Sequence, residues 1–246
     1  MTLLPLYQER RIRMEGASNV RDLGGYPTSF GRHVRRGVFF RADSLHRLTE
    51  RDQEELVGRG VRSVIDLRHA RELQESENVF ASSGRLAYHN VSLFNPADTA
   101  TTDLGRLGDL YVDMLENRRQ PLLRVFELLS ADPREAVLFH CAAGKDRTGV
   151  IAALLLELAG VAHEVIVADY AMTAACLTPL MEELRRTRPE SVSAELYERF
   201  LGAEPEEMEK MLAHLAGRYD GAEEYLMSIG LAPEQVEGLK KKLLGA

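Results

Sequence analysis

The stretch from Ala136 to Leu156 constrains this chain more than any other. Ala136-Val137-Leu138-Phe139 is a short apolar run that reads as a buried strand. Val150-Ile151-Ala152-Ala153-Leu154-Leu155-Leu156 is longer, rich in Ala and Leu, and reads as a helix. Between them His140-Cys141-Ala142-Ala143-Gly144-Lys145-Asp146-Arg147-Thr148-Gly149 must turn the chain through a tight loop. A strand, a tight loop and a helix N-terminus form an anion site. The first helical N–H groups lack partners within the helix, and the macrodipole favours negative charge there. A cysteine at the mouth of such a site is expected to be a thiolate, because the helix N-terminus, Lys145 and Arg147 all act in that direction. A buried structural cysteine is the common alternative for this residue type, but the Gly-Lys-Asp-Arg-Thr-Gly context argues against it.

Arg147 stands six positions after Cys141. Its planar fork of donors matches two oxygens of a phosphate, and the spacing lets guanidinium and thiolate face one ligand. Ala142, Ala143 and Gly144 carry little side chain to obstruct backbone N–H groups converging on phosphoryl oxygens. Lys145 adds a point charge. His140 is expected to hold the loop, and Thr148 to hydrogen-bond the sulfur. A nucleotide-binding loop of the type G-x-x-x-x-G-K-[ST] is excluded, because Asp146 follows Lys145 and Phe139 stands five before Gly144.

The composition is compatible with one large domain of 246 residues, 45% of them hydrophobic. A net charge of -7 argues against a nucleic-acid partner, which normally meets a basic face. Two cysteines, Cys141 and Cys176, suggest neither a disulfide framework nor a zinc site. No membrane-spanning segment is expected, since the most apolar stretch, 150–159, is short and interrupted by Glu157. The N-terminal order, apolar first and Arg10, Arg11 and Arg13 after, is opposite to that of a signal peptide. These points lead to a cytoplasmic expectation, with export by a signal-less route left open.

Along the chain, Asn19 to Tyr26 reads as a short strand and a turn, with Arg21 and Asp22 either functional residues or a structural ion pair. Gly37 to Phe40, Val61 to Leu67 and Leu86 to Val91 read as strands. Thr49 suits a helix N-cap, with Asp52 in the first turn of a helix that ends near Val57. Asp66 and Arg68 lie at the carboxyl end of a strand, where ligands gather in open α/β sheets; they are a second-tier site pair or a plain salt bridge. Residues 95–103 read as a mobile surface loop. Helical patterns cover 106–117 and 121–131, with Pro121 in a first turn. After Gly160 the chain is helical throughout. Thr178-Pro179 marks a helix start, and the apolar face Met208, Met211, Leu212 and Leu215 belongs to a helix ended by Gly217. The segment 181–200 is a solvated face or a lid over the site. The strands cluster before residue 141 and serve one sheet. The expected fold is therefore α/β: a central, mostly parallel sheet flanked by helices in a single domain, with a helical C-terminal elaboration from about residue 160.

The loop 140–149 resembles the signature loop of the cysteine-dependent protein tyrosine phosphatase superfamily. With both Lys145 and Asp146 present, it resembles the bacterial branch of tyrosine and phosphoinositide phosphatases. Asn19-Val20-Arg21-Asp22-Leu23-Gly24-Gly25, Arg41-Ala42-Asp43-Ser44, Val64-Ile65-Asp66-Leu67-Arg68 and Ala168-Asp169-Tyr170 fit that branch, and the likeness spans about residues 15–245. It implies two-step phosphoryl transfer without metal or cofactor. Cys141 attacks phosphorus, and Arg147 with the N–H groups of the loop (Ala142, Ala143, Gly144, Lys145, Asp146) binds the phosphoryl oxygens. A general acid protonates the leaving oxygen. The chain has no tryptophan, so the Trp-Pro-Asp acid loop of many members is absent. The branch implies Asp146 as the acid, with Asp66 the alternative. Lys145 resembles a residue of phosphatases that accept phosphoinositides. The expected substrates are phosphotyrosine, with phosphoserine or phosphothreonine, and phosphoinositides. Rival readings are an arsenate- or sulfur-handling thiol enzyme and a non-catalytic phosphate-binding module.

Overall fold

Among the described residues, five strands form one sheet in the order β1-β2-β5-β3-β4. They are β1 (Arg21–Asp22), β2 (Phe39–Ala42), β3 (Val61–Asp66), β4 (Ala87–Asn90) and β5 (Ala136–His140). The structure is a computed structural model that describes residues 9–93, 106–186, 188, 190 and 192–245. Only the edge strand β1 is antiparallel to its neighbour; the other pairings are parallel. Ala42, Asp66 and His140 lie level with one another, so the carboxyl ends of β2, β3 and β5 open at one edge. This is the α/β, mostly parallel architecture expected from the sequence.

Side chains alternate across the strands. Phe39, Ile65, Val137 and Phe139 enter one core, and Phe40, Ala42, Val64 and Leu138 enter another. The helices are α1 (Glu50–Gly58), α2 (Ala70–Glu75), α3 (Leu107–Asn117), α4 (Arg119–Ser130), α5 (Asp146–Leu158), α6 (His163–Leu177), α7 (Met181–Arg186), α8 (Ala194–Leu201), α9 (Pro205–Tyr219), α10 (Ala222–Ser228) and α11 (Pro233–Leu244). The first core is filled from α3, α4, α5, α6, α9, α10 and α11. The second is smaller and takes Leu56 of α1 with Phe80 and Leu86. Thr49 and Asp52 close a capping box at the start of α1.

Helix α5 is apolar all round and buried along its length, as a central helix should be. It ends in a Schellman turn: Gly160, at φ +73°, donates to Glu157 O, and Val161 donates to Leu156 O at 3.0 Å. Met208, Met211, Leu212 and Leu215 of α9 are core residues. The helix does not stop at Gly217. It continues to Tyr219 and closes at Asp220, which adopts the left-handed conformation that tolerates Asp.

Thr178-Pro179 does not begin a separate helix. It forms a 3-10 turn, Thr178–Leu180, that joins α6 to α7. The run His163–Arg186 is thereby long and apolar enough, by length and composition, to cross a bilayer, which the sequence reading did not anticipate. Its inner face is committed to the protein: Ile166, Val167, Asp169, Tyr170 and Thr173 are buried. The loop expected at 95–103 lies outside the described residues.

Arg21 and Asp22 are not a pair. Strand alternation points them to opposite sides. Asp22 accepts from Gly24 N and Gly37 N, both at 2.7 Å. Arg21 turns inward to Asp169 on α6, donating from Nε at 3.2 Å and to the Asp169 carbonyl at 2.9 Å. Arg41 donates to the same carboxylate at 2.7 Å, Arg10 at 3.2 Å and Tyr26 at 2.8 Å. All are buried. Burial opposes the charge on Asp169, but Arg21, Arg41 and Arg10 outweigh it and hold the carboxyl well below the usual carboxylate range. Burial and the neighbouring Arg21 bring Arg41 down to about 10.

Removing one partner of a buried ionic network leaves the rest uncompensated, at a cost of about 3–5 kcal/mol. Asp169→Asn is therefore expected to lower the unfolding free energy by ~3 kcal/mol or more in urea melts; a loss below ~0.5 kcal/mol, the range of ordinary surface substitutions, contradicts this. Because the folded carboxyl lies below its unfolded value, its contribution is present above about pH 4 and fades as pH falls through the folded value. The wild-type minus Asp169→Asn difference should shrink on acidification.

Candidate active site

The loop 141–145 leaves β5 and enters α5 at Asp146. Its shape follows from where its carbonyls are held. His140 O accepts from Leu67 N at 2.8 Å, and Ala142 O accepts from Ser44 N at 2.9 Å. Cys141 O accepts from the His140 ring at 3.0 Å; a carbonyl can only accept, so Nδ1 carries the proton. Ala143 O and Gly144 O accept from the Asn19 side chain at 2.9 and 3.1 Å, and Gly144 O also from Arg41 at 2.7 Å. Five consecutive carbonyls are thus tied outward. Among the described residues, the N–H groups of 142–147 donate to no protein acceptor. They form a nest for an anion at the start of α5.

Gly144 is required by contact and by conformation. At φ +65° it sits so close to β2 that a Cβ would lie 2.4 Å from Ala42 O. Asn19 is placed in turn by Asp43, which accepts from the Ser18 and Asn19 N–H groups. The Asn19 side chain also accepts from Arg21. A continuous path of hydrogen bonds runs from Asp169 through Arg21 and Arg41 to the loop carbonyls.

Cys141 is a free thiol, 1% exposed. Arg147 is buried beside it. Its Nη1 and Nη2 donate to the two oxygens of Glu72 at 2.7 and 2.8 Å, while Nε is buried without a partner. Burial pulls the Arg147 guanidinium down, but the charges of Cys141 and Glu72 prevail and raise it. Glu72 is held below its usual range by Arg147 despite burial. Thr148 Oγ1 is likewise buried and unpartnered. Two buried polar atoms in the first turn of α5 are thus without a protein partner.

Glu72 was not among the residues singled out in the sequence. It belongs to α2, whose only signal was His69 followed three residues later by Glu72. That pattern forms a capping box here, with the His69 ring in the usual place of Ser or Thr.

Asp66 and Arg68 form the plain salt bridge. Arg68 donates to both Asp66 oxygens at 2.9 and 2.7 Å, and Asp66 also accepts from Asn78 and Tyr88. Asp66 is fully buried. Burial opposes its charge, but His140 and Arg68 hold it well below the usual carboxylate range. Asn78 lies 2.8 Å from His140 Nε2, so the group braces the loop from below.

Lys145 does not face the nest as a free cation. Its ammonium caps the C-terminal end of α8, donating to Phe200 O and, at 2.7 Å, to Gly202 O. Cations favour that end of a helix. Asp146, next along, is partly exposed; its Oδ1 lies 3.5 Å from Lys145 Nζ and accepts from Tyr111 at 2.6 Å.

A cavity of about 590 Å³ opens beside Ala142 and Glu72, with Ser44, His46, Arg47 and Glu183 in its walls. Arg47 and Glu183 form a two-point ion pair that ties the β2–α1 connection to α7. Together with Lys145, this pair attaches α7 and α8 at the rim of the loop. Among the described residues, no group of three or more metal-ligating side chains is assembled.

Comparison with known proteins shows what the chain is similar to. A tyrosine-protein phosphatase of Nostoc commune is 36% identical over 224 residues, 84% of this chain and 74% of that protein. Triple specificity protein phosphatase PtpB of Mycobacterium tuberculosis is 27% identical over 281 aligned positions, 94% of this chain and 98% of the other. A crystal structure of P. aeruginosa TpbA in complex with pTyr aligns with a TM-score of 0.36 and 13% identity over 56% of this chain and 70% of that one. The model of the tyrosine phosphatase family matches residues 12–245, and the chain belongs to that family of phosphoric monoester hydrolases.

Proposed function

We propose that the protein hydrolyses phosphotyrosine esters in two steps through a phosphocysteine on Cys141. The observation that carries this reading is the loop itself: outward-tied carbonyls and free inward N–H groups around a buried thiol. The N–H groups and the Arg147 Nε hold the equatorial phosphoryl oxygens, where charge is stabilised in the transition state. Cys141 Sγ attacks phosphorus as the ester bond breaks, and the leaving oxygen takes a proton from Asp146. Water, deprotonated by Asp146, then attacks the phosphocysteine; phosphate departs and the thiolate returns. Thr148 Oγ1 offers a hydrogen bond to the departing sulfur. Glu72 orients Arg147 so that its remaining donors face the nest.

Asp146 is favoured over Asp66 as the acid because Asp66 is buried, multiply bonded and held ionised. The likeness to PtpB, whose name declares triple specificity, supports more than one substrate class, and phosphoserine or phosphothreonine and phosphoinositides are the further classes proposed. With Lys145 engaged by α8, that extension rests on the relative and not on a free lysine charge. Neither cysteine is in a disulfide, which suits a reducing, cytoplasmic setting.

Three outcomes follow from these roles. Asp146→Asn should lower turnover of an aryl phosphate about 10²–10⁴-fold and remove the alkaline limb of its pH–rate profile. If Asp66→Asn alone removes that limb, the acid is misassigned. Glu72→Gln should lower kcat/KM between about tenfold and a hundredfold through misplacement of Arg147; unchanged kinetics would show that Arg147 needs no such support. Vanadate should compete with substrate in the wild type, and Cys141→Ser should bind phosphotyrosine peptide without turnover. Persistent turnover by Cys141→Ser would remove the phosphocysteine route.

A further inference from the structure

The buried tyrosines beside the loop have no part in the mechanism given above. Tyr111 on α3 is fully buried, and its hydroxyl lies 2.6 Å from Asp146 Oδ1. Tyr170 on α6 lies with its hydroxyl 2.7 Å from that of Tyr111, and the two rings meet edge to face at 5.9 Å. A carboxylate can only accept, so Tyr111 donates to Asp146 and Tyr170 donates to Tyr111. Burial, reinforced by the Asp146 charge, raises the Tyr111 hydroxyl well above the ordinary phenol range, so it is a neutral donor at every working pH. Among the described residues, Asp146 Oδ2 accepts no hydrogen bond from the protein.

We propose that Tyr111, backed by Tyr170, is the positioning residue for proton transfer by Asp146. This rests on Asp146 being the general acid. The Tyr111 bond occupies Oδ1, which leaves Oδ2 as the oxygen that carries the proton and limits rotation of the carboxyl group. In the first step the Oδ2 proton moves to the leaving oxygen as the ester bond breaks and the sulfur–phosphorus bond forms. The negative charge left on Asp146 is stabilised by the same Tyr111 hydroxyl. In the second step Oδ2 recovers a proton from the attacking water. Nothing else is consumed, and Tyr111 itself stays protonated throughout.

Tyr111→Phe keeps the ring, its core packing and its contact with Tyr170, and removes only the donor. The test compares phenyl phosphate, whose leaving group needs protonation, with p-nitrophenyl phosphate, whose leaving group is stable as the anion. Tyr111→Phe should lower kcat on phenyl phosphate about tenfold, a fraction of the full general-acid effect, with KM unchanged and a much smaller loss on p-nitrophenyl phosphate. Losing a hydrogen bond that favours the carboxylate should also move the alkaline limb upward. Equal losses on both substrates with an unmoved limb, or no loss at all, would overturn the proposal and leave Tyr111 a packing residue.

Asp146→Asn, assayed in parallel, separates the two levels of the argument. If it keeps the wild-type limb, the acid assignment falls. If it loses the limb while Tyr111→Phe matches the wild type, only the role of Tyr111 falls. Should Tyr111→Phe fail to fold, Tyr170→Phe carries the same two readouts: a smaller change in the same direction supports the relay, and no change overturns it.

Discussion

The site depends on a buried excess of positive charge. Arg10, Arg21 and Arg41 converge on one carboxylate, Asp169, in the protein interior. Such a cluster is costly unless its geometry satisfies every partner, and here the surplus donors are put to use. Arg41 reaches past Asp169 to the Gly144 carbonyl, and Arg21 fixes the Asn19 amide that holds the Ala143 and Gly144 carbonyls. The arginines therefore both orient the loop and leave its surroundings positive.

The parallel sheet supplies the register for this arrangement. Asn19 and Arg21 enter beside the edge strand, Arg41 comes from β2, Asp66 from β3 and the loop from β5. Their meeting requires the carboxyl ends of three strands to lie level. Arg147 then lies in the first turn of α5, where Glu72 of α2 meets it. Rigid elements supply both partners, which suits a group that must not move when charge develops on phosphorus.

Much of this was legible in the sequence where the signal is local. The strand, the loop and the all-apolar helix were visible as one run, and Gly144 stands where only glycine fits. The reading of Met208, Met211, Leu212 and Leu215 as a core face follows from helical spacing and matches the packing. Less legible are residues whose partners are far along the chain. Arg21 stands beside Asp22 in the sequence, but its partner is Asp169, 148 residues on. The Lys145 ammonium caps a helix end 55 and 57 residues away, which no local pattern announces. Glu72 and Tyr111 carry no motif of their own; only the folded sheet and helices bring them to Arg147 and Asp146.

The account turns on Cys141 becoming phosphorylated within the nest. The most direct measurement is rapid acid quench of the Asp146→Asn enzyme during turnover of p-nitrophenyl phosphate, whose leaving group departs without the acid, followed by peptide mass spectrometry. Slowed hydrolysis should let a phosphate adduct accumulate on the peptide that contains Cys141, and Cys141→Ser should abolish it. Turnover with no adduct at Cys141, or an adduct on another residue, would contradict the account.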